Sequence, residues 1–347
     1  MTPRERWLAV LNGELPDRIP TDYWATWEAT QKLLDHLGCE SLEEAHRLLH
    51  VDTPVGVGPR YVGPPIPEGQ DMFGCAHRRV EYEGGAYSEC ASHPLAGYGT
   101  VEEIEANYTW PSPDWWDYSE IPSQIEGKED RPMRGGGSEP FLTYKSLRGQ
   151  EQAFMDLVLH PEMVHYCLDK LFALAYEGTS RIYEQVPGKV MITYVAEDLG
   201  SQSSLLISRE HIHEFLLPRM KRMMDLAHEA GAYVFHHSDG SIMDILPDMI
   251  ETGIDVLNPI QWRCEGMDRE VLKARFGGRI AFHGAMDNQQ TLPFGSVEDV
   301  RIEVADNIRM LGEGGGYILA PCHNIQAVSP PENIVAMYET AYELGWY

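Results

Sequence analysis

The residues with the clearest chemical potential are a histidine and an acid two positions apart, within His236-His237-Ser238-Asp239-Gly240. Because side chains on a strand alternate between its two faces, His237 and Asp239 point the same way at a strand end, and His236 points the other way. A neutral imidazole and a carboxylate are half of a metal site. In the alternative, structural role, Asp239 caps the following helix and His237 bonds to a backbone carbonyl.

Cys322, which precedes His323, is the candidate third ligand. A lone cysteine is more often a small buried apolar residue. In a closed barrel, however, strands that are distant in sequence deliver their ends to one rim, which would bring Cys322 to His237 and Asp239. A His/Asp/Cys set with one open position predicts a catalytic zinc site.

Other polar residues end the neighbouring predicted strands. Glu197 is a candidate fourth ligand or general base. His283 and Asp287, four residues apart on one strand face, are expected to position substrate or to orient a ligand histidine. Each has a structural alternative: a helix cap, a salt bridge or a hydrogen bond. The amides of Asn258 and Gln261 are weaker candidates for substrate binding.

The elements that must position these residues alternate between short β-rich runs and longer amphipathic stretches. Repeated βα units predict a parallel sheet flanked by helices. We favour a (β/α)8 TIM barrel, because polar residues end nearly every strand, as at the C-terminal face of such barrels. A doubly wound sheet would concentrate them at one switch point instead. The predicted strands are 189–198, 232–239, 254–261, 279–287 and 317–324.

The first half of the chain has a weaker pattern. Residues 18–24 and 51–57 are predicted strands, whereas 58–140 is rich in Gly, Pro and aromatic residues. This composition predicts irregular or antiparallel structure, as an insertion that caps the barrel mouth. We therefore expect one domain over residues 1–347.

Composition narrows the function classes. With 27 Lys+Arg against 54 Asp+Glu, the formal net charge is −27, which argues against nucleic-acid binding and against an anionic membrane surface. The 6 cysteines form no CxxC pair, which indicates a reducing compartment. No signal-peptide core and no run of about 18 apolar residues is present, so a cytoplasmic protein is expected.

The chain resembles the uroporphyrinogen decarboxylase superfamily along nearly its whole length, least between residues 60 and 150. The resemblance implies a single-domain TIM barrel. The motifs that carry it are Arg4-Glu-Arg-Trp-Leu-Ala-Val-Leu-Asn-Gly13, Pro16-Asp-Arg-Ile-Pro20, Glu197-Asp-Leu-Gly200, His237-Ser-Asp-Gly-Ser241, Glu251-Thr-Gly-Ile-Asp-Val-Leu-Asn-Pro259, Phe282-His-Gly284 and Gly314-Gly-Gly-Tyr-Ile-Leu-Ala-Pro321.

The resemblance implies one of two chemistries. True decarboxylases of the superfamily carry an arginine-rich motif soon after the Ile-Pro element, but residues 21–28 here contain no arginine. The methyltransferase branch carries a His-x-Cys zinc motif and a later Cys. His237 and Cys322 match this pattern, whereas Asp239 replaces the first Cys. A carboxylate gives a harder zinc, which is better suited to an oxygen or nitrogen leaving group than to a thiol.

The resemblance therefore implies a zinc-dependent methyltransferase that moves a methyl group from a small donor, such as an aryl methyl ether or a methylamine, to a corrinoid protein. Tyr23, Trp24 and Trp27 would form the pocket wall for an aromatic ring or a quaternary amine. The alternatives are a metal-free decarboxylase or lyase and a barrel that only binds a corrinoid or metabolite. The methyl donor and any homo-oligomer are left open.

Overall fold

The computed structural model describes residues 1–82 and 85–347, and its strands are short and largely apolar. Every residue of the last three strands is buried, which is typical of a parallel sheet covered on both faces. The strands are β1 (Val55–Val57), β2 (Arg60–Tyr61), β3 (Ala76–Tyr82), β4 (Gly85–Ser92), β5 (Trp116–Asp117), β6 (Met133–Ser138), β7 (Ile192–Ala196), β8 (Tyr233–His237), β9 (Val256–Asn258), β10 (Ala281–Met286) and β11 (Tyr317–Pro321).

Seven of these strands form one sheet in the order β1-β6-β7-β8-β9-β10-β11, and all of its pairings are parallel. The two edges of this sheet are linked by the segment after Arg18. Thr21 bridges Leu319 of β11 in parallel, while its carbonyl oxygen accepts from the N–H of Asp52, just before β1. The segment predicted as a first strand thus lies between the last and first strands of a curled sheet, as a barrel requires.

Charged residues near the N-terminus hold this segment in place. Asp52 is buried and accepts from Arg18 Nη1 at 2.8 Å, from Arg6 Nη1 at 2.9 Å and from the N–H of Thr21 at 3.1 Å. Asp17 accepts from Arg6 Nε at 2.6 Å. Because these groups have left water, each must be paired to be tolerated. The Arg-Glu-Arg and Pro-Asp-Arg motifs therefore serve closure of the sheet.

The helices lie between successive strands, and several begin at the caps that the sequence contains. Ser296 caps α14 with a reciprocal bond to Asp299, and Ser208 caps α9. The helices are α1 (Pro3–Leu11), α2 (Trp27–Leu37), α3 (Leu42–Leu48), α4 (Val101–Asn107), α5 (Ile121–Gln124), α6 (Pro140–Arg148), α7 (Gln150–Leu159), α8 (Pro161–Gln185), α9 (Arg209–His211), α10 (Leu217–Glu229), α11 (Leu246–Thr252), α12 (Arg269–Phe276), α13 (Thr291–Phe294), α14 (Val297–Asn307) and α15 (Pro331–Leu344). No helix within the described residues is both long and apolar enough to cross a lipid bilayer.

The antiparallel structure predicted for the stretch 58–140 is present, but this stretch also contributes a strand to the main parallel sheet. It contains the antiparallel pairs β2–β5 and β3–β4, and it ends in β6, a member of the parallel sheet. Residues 83 and 84 of this stretch lie outside the described residues. β6 is not predicted by its sequence pattern, because its core is Gly135-Gly136-Gly137 and glycine has a low preference for strands.

Candidate active site

Three side chains meet beyond the carboxyl ends of β8 and β11: His237, Asp239 and His323. One ligand atom from each lies within 4.8 Å of the other two. His237 is buried, and its Nε2 lies 3.7 Å from Asp198 Oδ1 and 3.9 Å from Asp239 Oδ1. His323 is 45% exposed, with its Nε2 3.9 Å from Asp239 Oδ2. The structure thus brings together two imidazoles and one carboxylate.

Cys322, the expected third ligand, is not part of this group, and that expectation requires correction. Its Sγ is buried and donates to the carbonyl oxygen of Ile260 at 3.2 Å, and burial raises the pKa of this thiol. The backbone N–H of Cys322 still pairs with Met286, in continuation of the β11 ladder. β11 ends at Pro321, and in the bend that follows, the side chain of Cys322 is buried while His323 joins His237 and Asp239 in its place.

The tautomer of His237 is fixed by a chain of buried hydrogen bonds. Its Nδ1 lies 2.6 Å from Asn258 Oδ1, which can only accept, so Nδ1 carries the proton and Nε2 presents a lone pair to the cavity. Asn258 Nδ2 donates to His283 Nδ1 at 2.7 Å. His283 Nε2 then donates to Asp22 Oδ2 at 3.0 Å.

This series of hydrogen bonds gives Asn258 and His283 a different role from the substrate contacts expected of them. Asn258 and His283 are fully buried, and both are occupied in orienting His237. Neither Asn258 nor the predicted Gln261 lines the main cavity. Burial lowers the pKa of His283, so its imidazole stays neutral at physiological pH. Asp22, at the far end, also accepts from Trp24 Nε1 at 2.8 Å and from the hydroxyl of Thr53.

Asp239 is held by its own set of contacts. Gln261 Nε2 donates to Asp239 Oδ1 at 3.1 Å, and the N–H of Asp239 donates to Asp198 Oδ1 at 3.1 Å. Gly240, with φ of 87°, allows this loop to contact the loop after β7, because a Cβ there would lie 2.5 Å from the backbone of Gly200. Burial raises the pKa of Asp239 above its usual value, while His237 opposes that shift.

Glu197 does not point toward His237, Asp239 and His323, which we call the metal-ligand group because they are the candidate metal ligands. It is fully buried, and its carboxylate accepts from the N–H of Phe141 at 2.6 Å and from that of Leu142 at 3.2 Å. These amides belong to the first turn of α6, where the helix dipole favours a negative charge. Burial raises the pKa of Glu197, although these backbone bonds oppose the rise. Its contacts are those of a helix anchor.

His283 and Asp287 do not share a strand face, contrary to the expectation from their spacing. Gly284 and Ala285 between them have φ of 108° and 72°, which breaks the alternation of the strand. Asp287 instead accepts from Arg263 Nε at 2.7 Å and from the N–H of Thr291 at 3.1 Å, at the start of α13. It is a buried structural acid beside Cys322.

A cavity of about 780 Å³ opens beside the metal-ligand group. Tyr23, Trp24 and Tyr194 line it together with His237 and His323. The indole of Trp24 lies 6.5 Å from the Tyr194 ring and 6.0 Å from the His237 ring. Trp27, also expected in this wall, is 72% exposed and begins α2. A volume of this size accommodates a small organic molecule.

Arg134 and Glu139 are not among the predicted site residues, because Arg134 lies in the unpredicted strand β6 and Glu139 follows it directly. Arg134 lines the main cavity, and Glu139 lines a neighbouring, more apolar cavity of about 270 Å³. Burial raises the pKa of Glu139 to about 7, and the charge of Asp198 adds to this shift. The signal that could have found them is the glycine-rich run at the spacing of a βα unit.

The donor set suits a divalent metal ion. His237, His323 and Asp239 supply two neutral nitrogens and one oxygen, and a fourth position remains for substrate or for Asp198. Two histidines with one carboxylate is a set found in catalytic zinc sites. The fixed proton on His237 Nδ1 leaves its Nε2 free to coordinate.

Comparisons with known proteins identify the family and the fold of the chain. A family model described as uroporphyrinogen decarboxylase (URO-D) matches residues 124–344. The chain is 27% identical over 212 residues to the uroporphyrinogen decarboxylase of Anaeromyxobacter dehalogenans and 26% identical over 218 residues to that of Pseudomonas aeruginosa; each match covers 61% of this chain, and 54% and 55% of those proteins. The chain thus spans about half the length of these curated relatives. A solved structure titled "methyltransferase from Methanosarcina mazei" has the same fold, with a TM-score of 0.70, 20% identity and 99% coverage of both chains.

Proposed function

The chain belongs to the uroporphyrinogen decarboxylase family, and from this premise we propose that it is a metal-dependent methyltransferase. It would take a methyl group from a small donor, an aryl methyl ether or a methylamine, and deliver it to a corrinoid protein. The observation that carries the proposal is the His237/Asp239/His323 group beside the aromatic cavity. A decarboxylase that works without a metal has no need of such a group.

We assign zinc to this group, held by His237, His323 and Asp239. When bound there, zinc supplies Lewis-acid stabilisation of the negative charge that develops on the atom losing its methyl group. Nitrogen and oxygen ligands make the site harder than a thiolate set, which favours an oxygen or nitrogen leaving group over sulfur.

The protein residues position the donor and handle its proton. Trp24 and Tyr194 form flat walls on which an aromatic donor stacks, close to the His237 ring. Asn258 and His283 keep His237 oriented. Glu139, with a pKa of about 7, still holds a proton near neutral pH and is our candidate to protonate the released product. We give Glu197 and Asp287 positioning roles only.

The segment 58–131 is proposed as a cover for the cavities within one domain. Gly58 lines the main cavity, while Phe73, Trp116 and Tyr118 line the smaller one. The carboxyl ends of the strands remain the face through which a corrinoid protein would approach, because active sites of such barrels open there.

Metal content tests the assignment first. We expect about one zinc per chain in the purified wild type, by elemental analysis, and loss of most of it in His237→Ala and in His323→Ala. Cys322→Ala is the matched control and should keep its zinc, since Sγ donates to the carbonyl oxygen of Ile260 and is not among the three candidate ligands. Wild-type protein that neither contains nor takes up zinc would refute the mechanism and favour metal-free lyase chemistry.

Activity tests the function itself. Protein reconstituted with zinc should transfer methyl groups from methoxylated aromatics or methylamines to a reduced, Co(I) corrinoid acceptor, followed by the absorbance of the corrinoid. His237→Ala should lower the rate by at least about 100-fold, since the metal is lost with its best-buried ligand. Equal rates in the variant and the wild type would show that the group has no catalytic role.

A further inference from the structure

Arg134 is the feature of the main cavity that the proposed reaction does not explain. It lies in β6 and is half-buried, with its guanidinium 6.0 Å from the centre of the Trp24 ring. Among the residues that the structure describes, no hydrogen bond or ion pair engages this guanidinium. Of the described side chains that line the cavity, it is also the one that carries a fixed positive charge.

Asp22 is the nearby acid, but its oxygens are already occupied. Burial alone would raise its pKa, yet the bonds from His283 and Thr53 and the charge of Arg134 hold the pKa below its usual value. Asp22 therefore stays ionised and accepts from Trp24, Thr53 and His283. The charges attract each other without direct contact, and the donors of Arg134 remain free.

Another arginine of the chain shows what a saturated guanidinium looks like. Arg148 donates to Asp156 at 2.7 Å and to the carbonyls of Leu95 and Tyr98 at 2.6 and 2.7 Å. A guanidinium that is partly removed from water without such partners costs free energy, which an anionic ligand would recover. The position of Arg134 inside a cavity is therefore that of a ligand-binding group.

We propose that Arg134 binds the carboxylate of an aromatic methyl donor, so that the substrate class is the methoxylated aromatic acids. This inference rests on the proposed function. The Trp24 ring lies 6.0 Å from both the Arg134 guanidinium and the His237 ring. Arg134, Trp24 and His237 all line the main cavity, so a benzene ring beside Trp24 would have the cation available to its carboxylate and the candidate metal ligands available to its methoxy group within one space. The planar guanidinium matches a carboxylate through two parallel hydrogen bonds.

The same geometry disfavours a methylated ammonium donor. An aromatic face such as that of Trp24 would be its binding surface. Arg134 already faces this indole, and a second cation there would be repelled by the first. Of the two methyl donors that the sequence left open, an aryl methyl ether and a methylamine, this inference favours the aryl methyl ether.

Calorimetric binding of matched ligands tests the inference without metal or corrinoid. The probes are 3- and 4-methoxybenzoate and the corresponding neutral methoxybenzamides. We expect the wild type to bind one of the acids at least about tenfold more tightly than its amide, because a hydrogen bond between two charged groups is stronger than one to a neutral group. Arg134→Gln should abolish this preference, and Arg134→Lys should keep part of it.

Arg301→Gln is the matched control, because it removes the same charge from an exposed position on α14. It should bind like the wild type, and thermal melting should show that all three variants fold. A preference for the acid that survives Arg134→Gln would overturn the inference, as would equal affinity for acid and amide, or no binding of either by the wild type.

Methyl-transfer assays separate this inference from the proposed function. Binding of the acid that depends on Arg134, without any transfer to the corrinoid, would keep the anion site and refute the methyltransferase. Equal transfer from the acid and from the amide would keep the methyltransferase and refute the role of Arg134.

Discussion

The active site has two sides, which we call its walls, and they are built on opposite principles. On the β8–β10 side, His237, Asn258 and His283 are buried, and hydrogen bonds engage His237 Nδ1, the Asn258 amide and both ring nitrogens of His283. On the β6 side, Arg134 has no direct partner among the described residues, and Glu139 sits beside an apolar cavity with a raised pKa.

The difference separates groups that set geometry from groups that await a ligand. A saturated chain of buried hydrogen bonds has one low-energy arrangement, because any rotation leaves a donor or an acceptor unpaired. Unpaired groups in a cavity keep all of their hydrogen-bond donors and acceptors available to a ligand that enters it. The first wall therefore fixes the orientation of His237, the candidate metal ligand, and the second wall is suited to select the ligand that binds in the cavity.

The largest effect is expected when the saturated wall is broken at its centre. Asn258→Leu leaves Nδ1 of both His237 and His283 buried without a partner. We expect a loss of about 1–3 kcal/mol in the free energy of unfolding for each, and zinc affinity lower by about 10–100-fold. Urea unfolding and chelator competition measure the two quantities.

Asn333→Leu is the control for Asn258→Leu. Asn333 is equally buried, in α15, where its Nδ2 donates to the carbonyls of Leu292 and Gly295. It should lose stability but keep its zinc affinity. The distinction between the walls fails if both variants bind zinc equally well.

A smaller effect is expected from Glu139 on the open wall. Its carboxyl titrates near 4.5 in the unfolded chain and near 7 in the folded one. Between these values the folded protein holds a proton that the unfolded chain has released, so stability falls as pH rises from about 4.5 to about 7. Glu139→Gln removes this loss, and its melting temperature should exceed that of the wild type by more at pH 8 than at pH 5.

Glu68→Gln, in an exposed loop, should show no such dependence on pH. A constant difference between Glu139→Gln and the wild type across this range would mean that the carboxyl is not poised near neutrality.

The smallest effect is expected from Trp27, which the sequence placed in the cavity wall. Trp27→Phe should change ligand affinity and stability by less than about 0.5 kcal/mol, because its ring is 72% exposed. Trp24→Phe keeps an aromatic wall but removes the N–H that binds Asp22, and should weaken ligand binding several-fold. Calorimetry with the methoxybenzoates would show the opposite order if Trp27 formed the wall.

The sequence predicts the regular half of the molecule well because its strands are apolar runs that end in polar residues. It also pairs His237 with Asp239 by simple alternation. It fails where one residue of register or one unusual dihedral decides the outcome. The positive φ angles of Gly284 and Ala285 place the side chains of His283 and Asp287 on different sides of the strand. A shift of one position along the chain makes His323, instead of Cys322, the third candidate ligand. No strand-like residue pattern marks Arg134, because the glycines after it have a low preference for strands; only the spacing of the βα units indicates a strand there.

The segment that links the edges of the sheet has a consequence for biosynthesis. Asp22 is the last member of the hydrogen-bonded chain that starts at His237. Its carboxylate bonds to His283, which is 261 residues away in the sequence, and its backbone N–H donates to the carbonyl oxygen of Leu319 in β11. Contacts between residues so distant in sequence form late in folding, because the entropy cost of closing the long loop between them comes before the favourable contact energy. A nascent chain lacking β11 cannot hold Asp22 and Trp24 in place. Ligand-binding competence should thus arise only after β11 has been synthesised, so shorter nascent chains would not compete for a ligand of the cavity.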